Sequence, residues 1–207
     1  MNIRRALFDI TKRLADIAVS AVGLVVSAPV QLLVAGLIRA RLGSPVLFRQ
    51  PRPGRNGQVF ELVKFRTMLP PSEDRQTDEE RLTTFGQFLR STSLDELPTL
   101  WNVLKGDMSL VGPRPLLVEY LEHYSPEQAR RHEVRPGVTG LAQVRGRNQV
   151  PWERRFELDV EYVDNRSLAL DLRILRDTLG TVLRRSGISE EGHVTMTPFA
   201  DLGKKGE

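Results

Sequence analysis

The 207-residue chain is 40% hydrophobic and carries 30 Lys and Arg against 26 Asp and Glu, which gives a formal net charge of +4. A chain of this length can form one globular domain and one short membrane element, so a multi-span transporter is excluded. It contains no cysteine, which excludes disulfides, thiolate metal sites and thiol nucleophiles. His123, His132 and His193 lack metal-ligand spacing, so they are expected to be structural or surface residues.

The first element is an apolar run from Ile17 to Ile38, 22 residues without a charge. A helix of that length would extend about 33 Å, enough to cross a bilayer. Pro29 near its middle removes a backbone donor and predicts a kink or break. Basic residues flank both ends, and the positive-inside rule is best satisfied if both ends are cytoplasmic. We therefore predict a re-entrant helix–break–helix over residues 1–41 that enters one leaflet; a spanning helix and a buried soluble helix are the alternatives.

Residues 42–199 are predicted to form one cytoplasmic domain, since Pro and Gly punctuate them and no second apolar run of membrane length follows. Val59 to Phe65 alternates in hydrophobicity after a turn and predicts a strand. Polar residues 70–81 predict a mobile loop, and residues 200–207 predict a flexible tail. The expected fold class is α+β and mainly helical, with a small sheet and amphipathic interfacial helices.

Two helices are predicted from local signals in this domain. Ser125 followed by Pro126 is typical of a helix start, because proline fits the first helical position. Leucines recur at helical spacing from Leu168 to Leu183 with charges between them. They predict an amphipathic helix that faces the core or lies on the membrane surface.

Adjacent carboxylates at Asp95 and Glu96 precede an apolar stretch that is predicted to be helical and to end at Gly106. Ser93 and Glu96 have the spacing of a capping box. Both carboxylates would then lie in the first helical turn, where the helix dipole favours ionised forms and backbone amides can meet phosphate. Such a pair can simply belong to a well-capped surface helix. An ionised Asp could instead attack phosphorus, or bind Mg²⁺ together with substrate phosphates.

Basic residues cluster and favour anionic partners such as phosphates or an acidic lipid surface. Several of them lie on or near Pro/Gly turns, namely Arg52, Lys64, Arg66, Arg114, Arg135 and Arg147. Guanidiniums on rigid turns suit phosphate, because the turn exposes backbone amides and fixes the fork in space. Each one alone could also belong to a solvated face or an ion pair. Nucleic acid is not expected as a partner, since interleaved aromatics and nucleic-acid motifs are missing.

These segments together resemble the bacterial sugar transferase family, the monotopic phosphoglycosyl transferases. The resemblance runs from about Lys12 to Phe199 and rests on motifs in the family's order: Gln50 with Arg52-Pro-Gly54, Lys64-Phe-Arg-Thr-Met68, Ser93-Leu-Asp-Glu-Leu97, Asn102 to Pro115 and Arg135-Pro-Gly-Val-Thr-Gly140. The short chain looks like the minimal type. Phe156-Glu-Leu-Asp159 and Arg185 to Met196 are similar to the di-N-acetylbacillosaminyl-phosphate transferases. The chain departs from the pattern at Ala28-Pro29, where Ser-Pro is common, and at Leu141, where an aromatic is frequent.

The resemblance implies transfer of a sugar-1-phosphate from a UDP-sugar to a polyprenyl phosphate such as undecaprenyl phosphate, with release of UMP. It implies that Asp95 is the nucleophile that forms an aspartyl phospho-sugar and that Asp95 also binds the cofactor Mg²⁺. It implies that Glu96 assists in positioning or in proton transfer. The residues implied to bind phosphate or nucleotide are Lys64, Arg66, Arg90, Arg114 and Arg147. The active site is then expected on the cytoplasmic face of the inner membrane, and a homodimer is left open. A non-catalytic membrane scaffold and a soluble phosphotransferase are the rival functions.

Overall fold

The computed structural model describes residues 3–145 and 150–184, which are mainly helical with two small two-stranded sheets among these residues. The helices are α1 (Ile3–Arg41), α2 (Asp78–Arg81), α3 (Thr84–Ser91), α4 (Leu100–Lys105), α5 (Pro126–Ala129), α6 (Leu141–Val144), α7 (Trp152–Asn165) and α8 (Leu168–Arg184). The strands are β1 (Leu47–Pro53), β2 (Val59–Phe65), β3 (Ser109–Val111) and β4 (Gly137–Thr139). Short 3₁₀ segments join them at Arg55–Gly57, Leu94–Thr99, Val118–His123 and Arg130–Glu133. The predicted fold class is confirmed in its mainly helical content and small sheets.

Helix α1 continues through Pro29 without ending there, so the predicted break of the helix at this proline is wrong, whereas a kink there stays a prediction. Polar side chains support the backbone beside it. Ser27 Oγ donates to the Gly23 carbonyl at 2.5 Å, and Gln31 Nε2 donates to Ser27 Oγ at 2.8 Å. Such local hydrogen bonds are one way in which apolar helices tolerate proline.

Most of the apolar surface of α1 is uncovered by the rest of the protein. The segment Arg5–Arg41 contains an 18-residue window of mean hydropathy 2.2, of which only 11% is buried, and it is long and apolar enough to cross a membrane. Val25 and Leu32 are each 75% exposed. This exposure argues against the alternative of a buried soluble helix, because an exposed apolar patch of this size needs another apolar environment.

The globular domain contacts α1 both before and after the middle of its apolar run. On the N-terminal side, Lys12 Nζ lies 2.6 Å from Asp171 Oδ2 of α8. On the C-terminal side, the fully buried Ile38 packs in a cluster with Phe65 and Leu89. One domain therefore holds both ends of the exposed segment.

The β1–β2 hairpin has two distinct faces, which the antiparallel register fixes. Strand β2 has the predicted bounds Val59–Phe65, so that prediction is confirmed. The pairs Phe48↔Lys64 and Arg52↔Phe60 lie on one face, because side chains alternate along a strand. We call this the front face. The pair Arg49↔Val63 belongs to the opposite, back face.

The loop and the helix start predicted in this domain have different outcomes. Residues 70–81 end in the short helix α2, where Thr77 and Glu80 form a capping box, so a loop over the whole range is wrong. The local cap supplies the backbone partners that the polar composition did not reveal. The helix start at Ser125 is confirmed, since Ser125 Oγ accepts from the Gln128 amide at 3.2 Å.

Helix α8 confirms the predicted amphipathic helix and divides its apolar residues between two surroundings. Ile174 is 1% exposed and lies in the core with Leu158 and Tyr162. Leu172 and Leu179 are 68% and 66% exposed. Part of the leucine stripe therefore lies on the surface. The tail at residues 200–207 and the segment Arg185 to Met196 lie outside the described residues.

Candidate active site

The two carboxylates lie on the 3₁₀ segment Leu94–Thr99, which follows α3 and leads directly into α4. Ser93 begins this segment with φ 57°, a left-handed conformation that non-glycine residues seldom adopt, and turns the chain sharply. The capping box predicted between Ser93 and Glu96 is wrong, because Ser93 makes no side-chain cap. Glu96 instead turns to two cations, whose charge-assisted hydrogen bonds are stronger than a neutral cap.

Glu96 joins β2 to the segment that follows β3. Its Oε1 accepts from Lys64 Nζ at 2.5 Å and from Arg114 Nη2 at 3.3 Å. Burial opposes its charge, but Lys64 and Arg114 outweigh burial and lower the pKa of Glu96 to about 2. Glu96 is thus a permanently ionised brace between two of the predicted phosphate-binding cations.

Asp95 occupies a different environment although it is the next residue. It is 9% exposed. Burial and the adjacent negative charge of Glu96 raise the pKa of Asp95 to about 6, against the opposing pull of Lys64, Arg90 and Arg114. Neighbouring carboxylates whose pKa values are driven apart commonly perform different chemical tasks. Asp95 is the more basic of the two and is still mostly ionised at neutral pH.

The guanidiniums of Arg90 and Arg114 complete the cationic surroundings of Asp95. Arg90 comes from the last turn of α3 and donates from Nε to Thr67 Oγ1 at 3.0 Å. Burial lowers the pKa of Arg90, whereas the negative charge of Asp95 raises it. The Arg114 side chain is 45% exposed, so part of its fork remains open to a ligand. Lys64, Arg90 and Arg114 therefore surround the carboxylates, and their predicted contact with phosphate stays a prediction.

Two other predicted phosphate contacts are not brought to this place by the described contacts. Arg66 is 8% exposed, and its guanidinium donates to the carbonyls of Ser44, at 3.1 Å, and of Leu42. It thereby satisfies backbone groups just beyond α1, and we assign it to that structural role. Arg147 lies in residues 146–149, outside the described ranges.

Residues 7–185 match the sequence profile of the bacterial sugar transferases. The chain belongs to this family. The family predicted from the sequence motifs, and the prediction that the chain is a transferase enzyme, are thus confirmed. The nearer similarity to the di-N-acetylbacillosaminyl-phosphate transferases stays a prediction.

Several relatives in this sugar transferase family carry informative names. The chain is 50% identical over 197 residues to the uncharacterized sugar transferase EpsL of Bacillus subtilis, covering 94% of this chain and 98% of EpsL. It is 41% identical over 192 residues to the UDP-glucose:undecaprenyl-phosphate glucose-1-phosphate transferase of Caulobacter vibrioides, covering 86% of this chain and 72% of the relative. It is 37% identical to the undecaprenyl-phosphate galactose phosphotransferase of Salmonella typhimurium, covering 90% of this chain but only 43% of that longer protein.

Sequence reasoning missed the support beneath the site of this sugar transferase. Arg131 and Asp159 form a buried ion pair, and Arg131 also donates to the Arg114 carbonyl at 2.7 Å. The Phe156-Glu-Leu-Asp159 motif could have indicated this pair, because a buried aspartate needs a buried cation as its partner. Thr67, the partner of Arg90, lies in the Lys64-Phe-Arg-Thr-Met68 motif but gave no separate signal.

The residues of the site fit a magnesium ion that is shared with substrate. Within the described ranges, no group of three or more His, Cys, Asp or Glu could hold a metal. Mg²⁺ commonly takes one or two protein carboxylates and completes its coordination with substrate phosphates and water. Because Glu96 is bonded to two cations, Asp95 is the carboxylate that would serve as its ligand.

Proposed function

We propose that this sugar transferase moves a sugar-1-phosphate from a UDP-sugar to a polyprenyl phosphate and releases UMP. The observation that carries the proposal is the pair Asp95 and Glu96, whose pKa values differ although both lie among the same cations. The names of the Caulobacter and Salmonella relatives support both the lipid phosphate acceptor and the sugar phosphate that is transferred.

In the first step, an ionised carboxylate oxygen of Asp95 attacks the phosphorus that bears the sugar. A new P–O bond forms, and the bond from this phosphorus to the bridging oxygen breaks, so UMP leaves with the electron pair. A pKa of about 6 makes Asp95 more nucleophilic than an ordinary aspartate while leaving it mostly ionised at neutral pH. Lys64, Arg90 and Arg114 would stabilise the charge that develops on the phosphate oxygens.

In the second step, a phosphate oxygen of the polyprenyl phosphate attacks the same phosphorus. The bond to Asp95 breaks, the carboxylate is regenerated, and the product is a polyprenyl diphosphate-linked sugar. Glu96 would hold Lys64 and Arg114 in place through both steps, since its two hydrogen bonds need no rearrangement. Mg²⁺ bound through Asp95 and the diphosphate would supply further charge neutralisation.

The lipid acceptor requires the site to lie at a membrane surface, and α1 supports this. Because one domain contacts α1 through Lys12 and through Ile38, we propose that both ends of the exposed segment lie on the cytoplasmic side. The segment between them would enter only the inner leaflet. The lipid phosphate would then reach Asp95 at the level of the headgroups.

A cleft between α1 and the back face of the hairpin offers room for part of the lipid chain. Its volume is about 350 Å³, within the range of ligand pockets. Its apolar lining comes from α1, the hairpin, the segment Leu94–Thr99 and α4. The residues are Leu24 of α1, Leu47, Val63 and Phe65 of the hairpin, Pro98 and Trp101. Trp101 is 52% exposed, as suits an aromatic at a membrane interface.

The decisive experiment mixes the purified enzyme with each of a panel of UDP-sugars and no polyprenyl phosphate. We expect one UDP-sugar to give UMP stoichiometric with enzyme and a phospho-sugar adduct on the peptide that contains Asp95, seen by mass spectrometry. Asp95→Asn should give neither product, whereas Asp74→Asn, at an exposed position, should behave as wild type. An adduct on Glu96, or rapid turnover without an adduct, contradicts the proposed nucleophile. No UMP with any UDP-sugar, even after acceptor is added, favours a scaffold.

A further inference from the structure

A buried ion pair lies behind Arg114. Arg131 Nη2 is 2.7 Å from Asp159 Oδ2, and the Arg131 Nε donates to the same oxygen at 3.0 Å. Both side chains are 2% exposed. Burial works against both charges, but Asp159 outweighs burial at Arg131 and holds the pKa of that guanidinium above its ordinary value. Burial also raises the pKa of Asp159, and the charge and hydrogen bonds of Arg131 oppose that shift.

The same guanidinium is fixed on its other sides. Its Nη2 donates to the Arg114 carbonyl at 2.7 Å, and its Nη1 donates to the Tyr124 hydroxyl at 3.1 Å. Its Cζ atom lies 5.7 Å from the ring centroids of both Tyr124 and Phe156. A planar fork bonded in this way has one orientation, which a flexible ammonium could not reproduce.

The segment that carries Arg114 is held along its backbone by other groups as well. The Gly112 amide donates to the Thr139 carbonyl, and the Gly137 amide donates to the Pro113 carbonyl, both at 2.9 Å. A Cβ atom on Gly112 would lie 2.4 Å from the Arg135 carbonyl oxygen, so the close approach of these two motifs requires glycine there. Residues 112–114 therefore form a rigid backbone support, here called the mount, for the side chain of Arg114. That side chain extends toward Glu96.

We propose that Arg131 and Asp159 are positioning residues that set the placement of the Arg114 guanidinium on the diphosphate of the UDP-sugar. This inference rests on the phosphate contact assigned to Arg114 in the proposed function. Arg131 bonds the carbonyl of the very residue whose side chain enters the site, and Asp159 determines where the Arg131 fork lies. Loss of either partner would shift the mount, residues 112–114, and with it the Arg114 guanidinium and its hydrogen bond to Glu96.

The test is a double-mutant cycle between Asp159→Asn and Arg114→Lys, measured as kcat/KM for the UDP-sugar in UMP release. Alone, Asp159→Asn should lower this value about tenfold, a coupling typical of residues in one network. In the Arg114→Lys background, where the precise fork is already lost, the same change should cost about twofold or less. Asp164→Asn is the matched control on the same helix and should leave kcat/KM unchanged. Asp164 is exposed and, among the residues that the structure describes, forms an ion pair only with Arg130.

Equal losses in both backgrounds would show a general structural role and overturn the positioning proposal. An Arg114→Lys enzyme with wild-type kcat/KM would overturn it too, by removing the phosphate contact on which it rests. Neither result contradicts the proposed transfer reaction, which is tested separately by UMP release from the wild-type enzyme. If Asp159→Asn lowers the melting temperature too far for assay, Tyr124→Phe removes one hydrogen bond to Arg131 and takes its place. It should lower kcat/KM about twofold, and only when Arg114 is intact; no loss, or the same loss in both backgrounds, overturns the proposal.

Discussion

At the scale of single residues, the site depends on two neighbouring carboxylates that the fold treats differently. Glu96 reaches Lys64 and Arg114, and these cations keep it ionised. Asp95 is buried beside that negative charge and becomes the more basic group. The difference between the two arises from their partners, since Asp and Glu have similar pKa values in water.

The first prediction concerns the pH dependence of UMP release. Because ionised Asp95 is required, kcat/KM for the UDP-sugar should rise with pH through about 6 and be level above it. Glu96→Gln removes the negative charge that raises the pKa of Asp95, so the midpoint should move to lower pH even though the rate falls. The profile is measured from pH 4.5 to 8 at constant ionic strength. A midpoint that Glu96→Gln does not move would assign the titration to another group.

The second prediction is that neutralising the two carboxylates has opposite effects on stability. The raised pKa of Asp95 means that its ionisation costs the folded state free energy above pH about 6, and that this cost vanishes below about 4. Asp95→Asn should therefore stabilise the protein at pH 7 by roughly 1–3 kcal/mol while abolishing turnover.

The lowered pKa of Glu96 works with the other sign. Its ionised form contributes stability that is fully present above pH about 4.5 and is lost as the pH falls toward about 2. Glu96→Gln should therefore destabilise the protein at pH 7 by roughly 1–3 kcal/mol. Unfolding in detergent, followed by circular dichroism at pH 7, compares both variants with Asp74→Asn, which should match wild type. A loss of stability in both carboxylate variants would contradict the opposed environments.

At the scale of elements, α1 is tied to the segment that bears the carboxylates. Arg13 donates to the carbonyls of Val103 and Leu104, at 2.7 and 2.8 Å, which lie at the C-terminal end of α4. Cations are favourable at that end of a helix. Since α4 continues directly from Leu94–Thr99, the contact fixes the depth of the site relative to α1.

The third prediction follows from this attachment and concerns the topology of α1. The chain has no cysteine, so single thiols can be placed at the exposed positions Thr11 and Ala40. Both should resist a membrane-impermeant thiol reagent in intact cells and react once the cytoplasmic side is opened, because the same domain holds both ends. Val26→Cys, in the exposed apolar stretch, should stay unreactive in both states. Labelling of one end in intact cells would establish a spanning helix.

At the scale of the whole molecule, two helices that are in contact, α1 and α8, each expose apolar side chains. Helix α8 meets α1 through Asp171 and Lys12, and the exposed Leu172 follows Asp171 in sequence. Leu172 and Leu179 are seven residues, about two turns, apart and so lie on the same face of α8. An amphipathic helix in that place is suited to lie in the headgroup region of the membrane.

The fourth prediction is that this α8 surface serves the lipid step alone. Leu172→Glu combined with Leu179→Glu should raise the KM for a membrane-embedded polyprenyl phosphate about tenfold or more, because two exposed apolar side chains that would face the lipid are replaced by charges. UMP release without acceptor should remain as in wild type. Val59→Glu makes a similar change on the hairpin, where Val59 is 56% exposed, and should affect neither step. An unchanged KM in the α8 variant would remove this helix from the membrane surface.

The sequence by itself determined the features that depend on neighbouring residues. The alternation of β2, the cap at Ser125 and the charge-free run of α1 are local patterns, and the family motifs are contiguous strings. The strand, the helix start, the helical conformation of the apolar run and the family were confirmed, because backbone geometry and hydrophobic periodicity are encoded within a few residues. The break that Pro29 predicted in that run was not. The carboxylates and three of their cations were also identified before the fold was known.

Only the tertiary structure decided which groups face each other. Lys64 and Glu96 are 32 positions apart, and Arg131 and Asp159 are 28 apart. No local pattern distinguishes Arg66, which bonds backbone carbonyls, from Lys64, which holds Glu96. The pKa difference between Asp95 and Glu96 likewise arises from burial and from charges brought near by distant segments. Electrostatic interactions act through space and depend on desolvation, so chain folding, rather than residue order, sets their strength.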